Sequence, residues 1–316
     1  MPRVIVIAGP TASGKSELAM RIADALPVEL VSVDSAQVYR GMDIGTAKPT
    51  QAERARVPHH LIDIREPEQV YSAGEFRTDC LRLIGEIQSR GRMPVLVGGT
   101  MLYFRALFHG IAELPTADAS LRSAIDARAE REGWPALHAE LAARDPAAAR
   151  NIHPNDAQRI QRAIEVMQLS GRGLSEHWKS TTALSGIGDW LMCALVPADR
   201  PWLHERIARR VDEMLASGFA EEVSNLLARR TLDDRSPALR LVGYRQLLDY
   251  CRGGESLELA REKAIYATRQ LAKRQLTWLR SGKLFPENSN VLTLNPIDSP
   301  TMEHLAHRLI KAMPPP

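Results

Sequence analysis

Val4-Ile5-Val6-Ile7-Ala8-Gly9-Pro10-Thr11-Ala12-Ser13-Gly14-Lys15-Ser16 sets the architecture of this chain. Its first five residues are all apolar, which suits a strand buried on both faces in a parallel sheet. The next eight fit G-x-x-x-x-G-K-[ST], and Glu17–Leu26 follows with helical spacing that stops before Pro27. Strand, glycine-rich loop and helix in that order make a phosphate cradle. Glycines let successive backbone N–H groups converge on an anion, and the helix N-terminus adds a favourable dipole. Gly9, Pro10, Thr11, Ala12, Ser13, Gly14, Lys15 and Ser16 are therefore the candidate diphosphate-binding residues. Lys15 supplies a mobile point charge, and the Ser16 hydroxyl suits Mg²⁺. The loop alone does not choose between ATP and another diphosphate or triphosphate ester.

Working outward, Leu30–Val33 is a second short apolar run, and Val95–Val97, ended by Gly98-Gly99, is a third. Between them lie a loop-rich stretch and an expected helix from Gly74 to about Arg90. Leu191–Val196 reads as a later strand. Strands alternating with helices predict an α/β fold, a P-loop NTPase-like doubly wound parallel sheet. Pro115 to about Ser180 is different: rich in Ala, Arg and Glu, helical in period, without a convincing strand. It reads as a helical insertion domain, residues 116–180, within a core made of 1–115 and 181–316. Helical segments return after Pro201 and run to about Arg280. From Phe285 onward only a short helix near Met302–Ala312 is expected, before Pro314-Pro315-Pro316.

The chain has 316 residues, 44% hydrophobic and 25% charged, ordinary values for a globular protein. No apolar run approaches the ~20 residues that span a bilayer, so no membrane segment is expected. Arg3 with Val4–Ala8 is too short for a secretory signal and runs straight into the glycine-rich loop, so the expectation is a cytoplasmic protein. A monomer is expected, although no feature of the sequence specifies the oligomeric state. Cys80, Cys193 and Cys251 lie far apart, which argues against a disulfide framework and against a zinc site. Net charge is only +3, yet Arg261, Lys263, Arg269, Lys273, Arg274, Arg280 and Lys283 face the single acid Glu262, a local balance of +6. Such a stretch suits contact with a polyanion, and equally a solvated helix face.

Asp34 follows the second apolar run, at the strand edge where parallel sheets place their chemistry. In order along the chain stand Gly9–Ser16, Asp34-Ser35-Ala36-Gln37-Val38-Tyr39-Arg40, Asp43-Ile44-Gly45-Thr46-Ala47-Lys48-Pro49, His59-His60-Leu61-Ile62-Asp63 and Tyr71-Ser72-Ala73. They continue with Val97-Gly98-Gly99-Thr100, His153-Pro154-Asn155-Asp156, Gln158-Arg159-Ile160 with Arg162, Gly243-Tyr244, Lys273-Arg274-Gln275 and Thr277-Trp278. This series, covering about residues 4–280, resembles the tRNA dimethylallyltransferase family. One departure stands out: that family usually has glycine after the threonine, where this chain has Met101. Methionine disfavours positive φ and adds bulk beside Thr100. Without a cysteine after Cys251, the sequence resembles the bacterial members, which lack a zinc finger.

The resemblance implies catalytic roles for Asp34, Thr100 and Lys15, with Asp34 as general base at the target amine. It implies tRNA contacts from Asp34, Ser35, Ala36, Gln37 and Thr100 near a flipped base. Gln158, Arg159, Ile160, Gln161 and Arg162 would meet the anticodon stem-loop, as would Arg122, Lys273 and Arg274. Substrates would be tRNA and dimethylallyl diphosphate, with Ser16 holding Mg²⁺. The chemistry is consistent with these residues. An exocyclic adenine amine is a poor nucleophile and needs a base, and a departing diphosphate needs positive charge.

Other residues have plainer readings. Ile160, Ile164 and Met167 form an apolar helix face, with Asp156 expected to cap that helix. Tyr103, Phe104, Leu107 and Phe108 read as core, His59-His60 as structural, and Trp278 as buried more readily than base-stacking. Two rival functions remain at this level. A small-molecule kinase using ATP explains the loop and Asp34 but not the basic stretch. An RNA-binding regulator with a nucleotide switch explains the charge but leaves Asp34 and Thr100 without a task.

Overall fold

Successive residues of Val4–Ala8 serve opposite cores, which is why the run contains no polar residue. In the computed structural model, Val4, Val6 and Ala8 face one hydrophobic cluster and Ile5 and Ile7 the other. Both isoleucines are fully buried, so cutting either to alanine costs about 2–5 kcal/mol. The structure describes residues 4–179, 189–229, 231–234, 236–286, 291–298 and 302–311.

The chain divides into two compact units, Met1–Phe108 with Ser185–Pro316, and His109–Leu184. The first begins with β1 (Val4–Ala8), α1 (Lys15–Ala25), β2 (Val28–Val33), α2 (Gln51–Arg56), β3 (His59–His60), α3 (Ala73–Ser89), β4 (Met93–Gly98) and α4 (Met101–His109). The second unit contains α5 (Ala119–Glu132), α6 (Trp134–Arg144), α7 (Pro146–Ala149), α8 (Ala157–Ser170) and α9 (Leu174–Lys179), with no strand among its described residues. The first unit resumes with β5 (Trp190–Leu195), α10 (Arg200–Ala216), α11 (Phe219–Leu227), a 3₁₀ turn at Ala238–Arg240, α12 (Tyr244–Cys251), α13 (Leu257–Arg280), β6 (Val291–Leu294) and α14 (Met302–Lys311). The Ser180–Thr181 boundary and Pro314-Pro315-Pro316 lie outside the described residues.

The six strands among the described residues are all parallel, in the order β3-β2-β4-β1-β5-β6. The expected doubly wound α/β sheet is present. Strand order reverses around β1, whose neighbours are β4 and β5, and the carboxyl ends beside such a reversal are where ligands bind in this class of sheet. Register brings those ends level: Val33 pairs with Gly98, and Gly98 with Ala8. The loops after β1, β2 and β4 therefore start side by side.

Three elements depart from the sequence reading. The stretch read as loop contains α2 and β3, and the tail after Phe285 contains β6. These have six, two and four residues, too short for apolar periodicity to register. Thr50 and Glu53 cap α2 reciprocally, as Ser72 and Glu75 cap α3, and such capping boxes fix where the helices begin. Met101 opens α4 in ordinary helical backbone, with its side chain buried, so no positive φ is needed there. Tyr103, Phe104, Leu107 and Phe108 are all core residues. Among the described residues no helix is long and apolar enough to cross a membrane.

Candidate functional site

The phosphate loop is shaped by two left-handed residues, Ala12 at φ +62° and Gly14 at φ +92°. For alanine that conformation costs about 1–2 kcal/mol, held in place by the surroundings. Those surroundings are visible. The Thr11 N–H donates to Gln275 Oε1 at 2.9 Å, and Arg206 Nε donates to the Ala12 carbonyl at 2.8 Å. A Cβ on Gly9 would lie 2.7 Å from Ser13 Oγ, so only glycine fits. Ser13 is fully buried, yet its hydroxyl has no partner.

Lys15 folds back onto the loop, donating from Nζ to the Pro10 carbonyl at 2.7 Å. Burial pulls its ammonium down from 10.5 to about 7, and the charge of Arg210 adds to the fall while Asp34 opposes it. Burial likewise lowers the Arg210 guanidinium, again with Asp34 opposing. Two cations and one carboxylate thus feel one another across the site.

Asp34 sits just beyond β2, its Oδ1 accepting from the Ala36 N–H at 2.8 Å. The Ser35 N–H donates to Thr100 Oγ1 at 3.0 Å, and the Thr100 hydroxyl lies 3.3 Å from Ser35 Oγ. Thr100 in turn is tied to β2 by its N–H, which donates to the Val33 carbonyl at 3.1 Å. Gly98 and Gly99 make this approach possible: a Cβ on Gly98 would meet Val33 O at 2.0 Å, and one on Gly99 would meet Gln275 Nε2 at 2.5 Å. Gln275, buried on α13, donates to the Gly99 carbonyl at 2.8 Å while accepting from Thr11. A single amide side chain thus joins the phosphate loop to the Thr100 loop.

These groups surround one cavity of about 750 Å³, lined among others by Lys15, Asp34, Gln37, Thr100, Arg210 and Trp278. The size suits a small organic ligand. Gln37 is held by Ser32 Oγ, which donates to its Oε1 at 2.8 Å, and its Nε2 donates to the Ala47 carbonyl at 3.2 Å. The buried Lys48 ammonium bridges Asp43 at 2.7 Å, Asp63 at 2.5 Å and the Tyr39 carbonyl. His59 and His60 lie in β3, their ring nitrogens bonded to Val57 O and to Glu29, each at 2.7 Å. Among the described residues no group of three or more His, Cys, Asp or Glu side chains is placed to hold a metal ion.

In the helical unit, Gln158 and Arg159 are exposed at the start of α8, which Asp156 caps as expected. Ile160 is fully buried, which removes its side chain from any contact surface and places it in the core of this unit. Gln161 donates to Asp126 at 2.6 Å. Arg122 grips the fully buried Glu165 with two hydrogen bonds, at 2.9 and 3.1 Å, and Arg162 reaches the same carboxylate at 2.6 Å. Burial works against the charge on Glu165, but the bonds from Arg122, Arg162 and the Asp118 amide outweigh it and hold the carboxyl low. Arg122 and Arg162 thus have an internal task whatever else they touch.

On α13, Lys273 and Arg274 are exposed, while Trp278 is half-buried against the core with the Arg105 guanidinium 5.9 Å from its ring centre. Arg206, Arg210 and Gln275 were missed by the sequence reading. The i, i+4 spacing of Arg206 and Arg210 puts both on one face of α10, a signal that was available. Gln275 stands in the Lys273-Arg274-Gln275 block of the family resemblance, but its spacing gives no sign of the loops that it joins.

This arrangement can bind a diphosphate, stabilise its departure and accept a proton nearby, and comparison with known proteins points the same way. The family model described as IPP transferase matches residues 37–282. The tRNA dimethylallyltransferase of Aromatoleum aromaticum is 58% identical over 279 residues, covering 88% of this chain and 87% of its own. That of Bordetella petrii is 56% identical over 280 residues, covering 88% and 89%. Among solved structures, the tRNA isopentenylpyrophosphate transferase of Bacillus halodurans is 36% identical with a TM-score of 0.68, covering 98% of this chain and 96% of its own. A eukaryotic dimethylallyltransferase acting on tRNA is 26% identical with a TM-score of 0.81, covering 99% and 81%. With a matching family model across most of its length and relatives this similar, the chain belongs to the IPP transferase family.

Proposed function

We propose that this prenyltransferase moves the dimethylallyl group of dimethylallyl diphosphate onto N6 of the tRNA adenosine 3′-adjacent to the anticodon, releasing diphosphate. The carrying observation is the shared cavity, which joins a phosphate loop, the cations Lys15 and Arg210, the carboxylate Asp34 and the Thr100 hydroxyl. A kinase would use the same loop, but the relatives are transferases of prenyl groups.

In this reading the target adenine is turned out of its stack into the cavity, because its edge is otherwise inaccessible. The bond from C1 of the dimethylallyl chain to the diphosphate oxygen breaks as the bond from N6 to C1 forms. Asp34 takes the N6 proton, with Ser35 and Thr100 fixing the loop that carries it. The electron pair leaves with the diphosphate, whose growing charge meets Lys15, Arg206, Arg210 and the loop amides. The exposed Ser16, which lines the cavity next to Lys15 at the start of α1, fits a loop that would bind phosphate oxygens together with Mg²⁺. Ser16 would hold the ion along with those oxygens, and the ion would add charge neutralisation at the leaving group. Gln158, Arg159, Lys273 and Arg274 are the exposed candidates for the anticodon stem-loop. The reading takes the enzyme as a monomer and, in keeping with a tRNA substrate, as cytoplasmic.

The test is to incubate the protein with tRNA, labelled dimethylallyl diphosphate and Mg²⁺, free of nucleotides, and to compare diphosphate release with modified adenosine. Equal amounts support the reading. Dependence on ATP, or transfer of its terminal phosphate to any acceptor, overturns it.

A further inference from the structure

Glu222 lies on α11, outside every motif singled out in the sequence, yet its carboxylate is saturated by a distant loop. Oε2 accepts from the Asp43 N–H at 2.7 Å and the Ile44 N–H at 2.8 Å. Oε1 accepts from the Gly45 N–H at 3.0 Å and from the Tyr244 hydroxyl at 2.5 Å. Three consecutive main-chain amides converge on one carboxylate, as they do on a bound anion. Burial and the neighbouring Glu222 charge push the Tyr244 phenol well above its ordinary range, so it remains a donor. Gly45 lets the loop come down onto this pair: a Cβ there would lie 2.1 Å from Phe219 and 2.7 Å from Tyr244.

The clamp leads to the cavity wall. Directly after the held amides, the carbonyls of Thr46 and Ala47 accept from Gln37 Nε2, at 3.4 and 3.2 Å. Gln37 and Asp34 belong to one short loop after β2, and both line the cavity together with Gly45, Thr46 and Ala47. We propose that Glu222 is a positioning residue, which by gripping Asp43–Gly45 fixes the wall that carries Gln37 and so aligns Asp34 with the target nucleotide. This rests on the reading of the cavity as the place where a tRNA adenine reacts.

Glu222→Gln keeps the shape but replaces one acceptor oxygen with a donor, which must face either the Asp43–Ile44 amides or the Gly45–Tyr244 pair. Tyr244→Phe removes a single donor and leaves the three amide bonds in place. Each variant is compared with the parent for kcat at saturating tRNA, for affinity toward dimethylallyl diphosphate, and for thermal melting. Glu222→Gln should lower kcat about 10- to 100-fold, the scale of a misaligned reacting pair, with diphosphate affinity within about twofold. Tyr244→Phe should lower kcat less, by about three- to tenfold, with the same unchanged affinity. Unchanged kcat in Glu222→Gln overturns the proposal, as does a loss shared equally by diphosphate affinity or accounted for by the unfolded fraction. Should Glu222→Gln not fold, an unchanged kcat in Tyr244→Phe overturns it. Absence of transfer to tRNA by the parent protein overturns the functional reading itself.

Discussion

Lys15 should make diphosphate binding a proton-linked event. In the free protein its ammonium has fallen from 10.5 to about 7, chiefly through burial, with Arg210 adding to the fall and Asp34 opposing it. A bound diphosphate puts negative charge beside it and restores the preference for the charged form. Only the protonated protein then binds well. With a midpoint near 7, about half the free protein carries the proton at pH 7 and about a tenth at pH 8. Binding should take up roughly 0.5 proton at pH 7 and roughly 0.9 at pH 8, and affinity should fall about fivefold from pH 7 to 8 and about ninefold from 8 to 9. The same shift acts on folding. The unfolded lysine keeps its proton up to about 10.5 and the folded one loses it near 7, so this residue's contribution is least favourable below 7 and improves as pH rises through that window. Calorimetric titration of dimethylallyl diphosphate at pH 7, 8 and 9, in two buffers of different ionisation enthalpy, measures the proton number directly. The same series on Lys15→Ala removes the ligand's own phosphate titration by difference. Equal proton uptake by the two proteins at pH 8 would refute the reasoning.

Asp34→Asn should keep the fold and tRNA affinity but lose about 10²–10⁴-fold in single-turnover rate, since asparagine cannot accept the N6 proton; a near-normal rate removes Asp34 as the base. Glu at both Lys273 and Arg274 should weaken tRNA binding and flatten its dependence on salt, by somewhat under one unit of log–log slope (about 0.7–0.9) for each phosphate no longer neutralised. An unchanged slope, measured by filter binding between about 50 and 200 mM salt, returns these residues to a solvated face. Gln275→Leu leaves the Thr11 N–H and the Gly99 carbonyl without their partner, at about 1–3 kcal/mol for each group that water does not reach. Chemical denaturation should show that loss together with weaker diphosphate binding, and a variant as stable as the parent argues against the bridge.

What could be read in the sequence, and what could not, follows from the range over which each signal acts. The phosphate loop and β1 were legible because their demands are local, a strand buried on both faces and a glycine-rich turn into a helix, whereas Gly98 and Gly99 were legible only as a strand's end, since what they make room for, Val33 and Gln275, lies elsewhere in the chain. The helical character of the stretch after Pro115 was legible as composition. Short elements such as α2, β3 and β6 were not, because a strand of two or four residues has no period to detect and is held by its neighbours in the sheet. The same reasoning separates the site residues. Asp34 and Thr100 stand at strand ends, where the fold itself flags chemistry, although their roles came only with the family resemblance. Arg122 and Arg162 are expected at the tRNA surface, yet both turn to Glu165: the Arg122 pairing becomes visible only when α5 and α8 pack, whereas Arg162 stands three residues before Glu165 on α8, a spacing the sequence displays. Gln275 is 264 residues from Thr11, and Glu222 is 177 from Gly45, so no spacing rule reaches them. Both are amide or carboxylate side chains that hold main-chain groups of a cavity loop. The residues proposed to do chemistry sit on loops with local signatures, and the residues that keep those loops in place come from helices far along the chain. Loss of Gln275, which holds the phosphate loop itself, should therefore reach diphosphate binding, whereas loss of the Glu222 grip, which acts on the wall beside Asp34, should change alignment before it changes binding, the split that Glu222→Gln is expected to show.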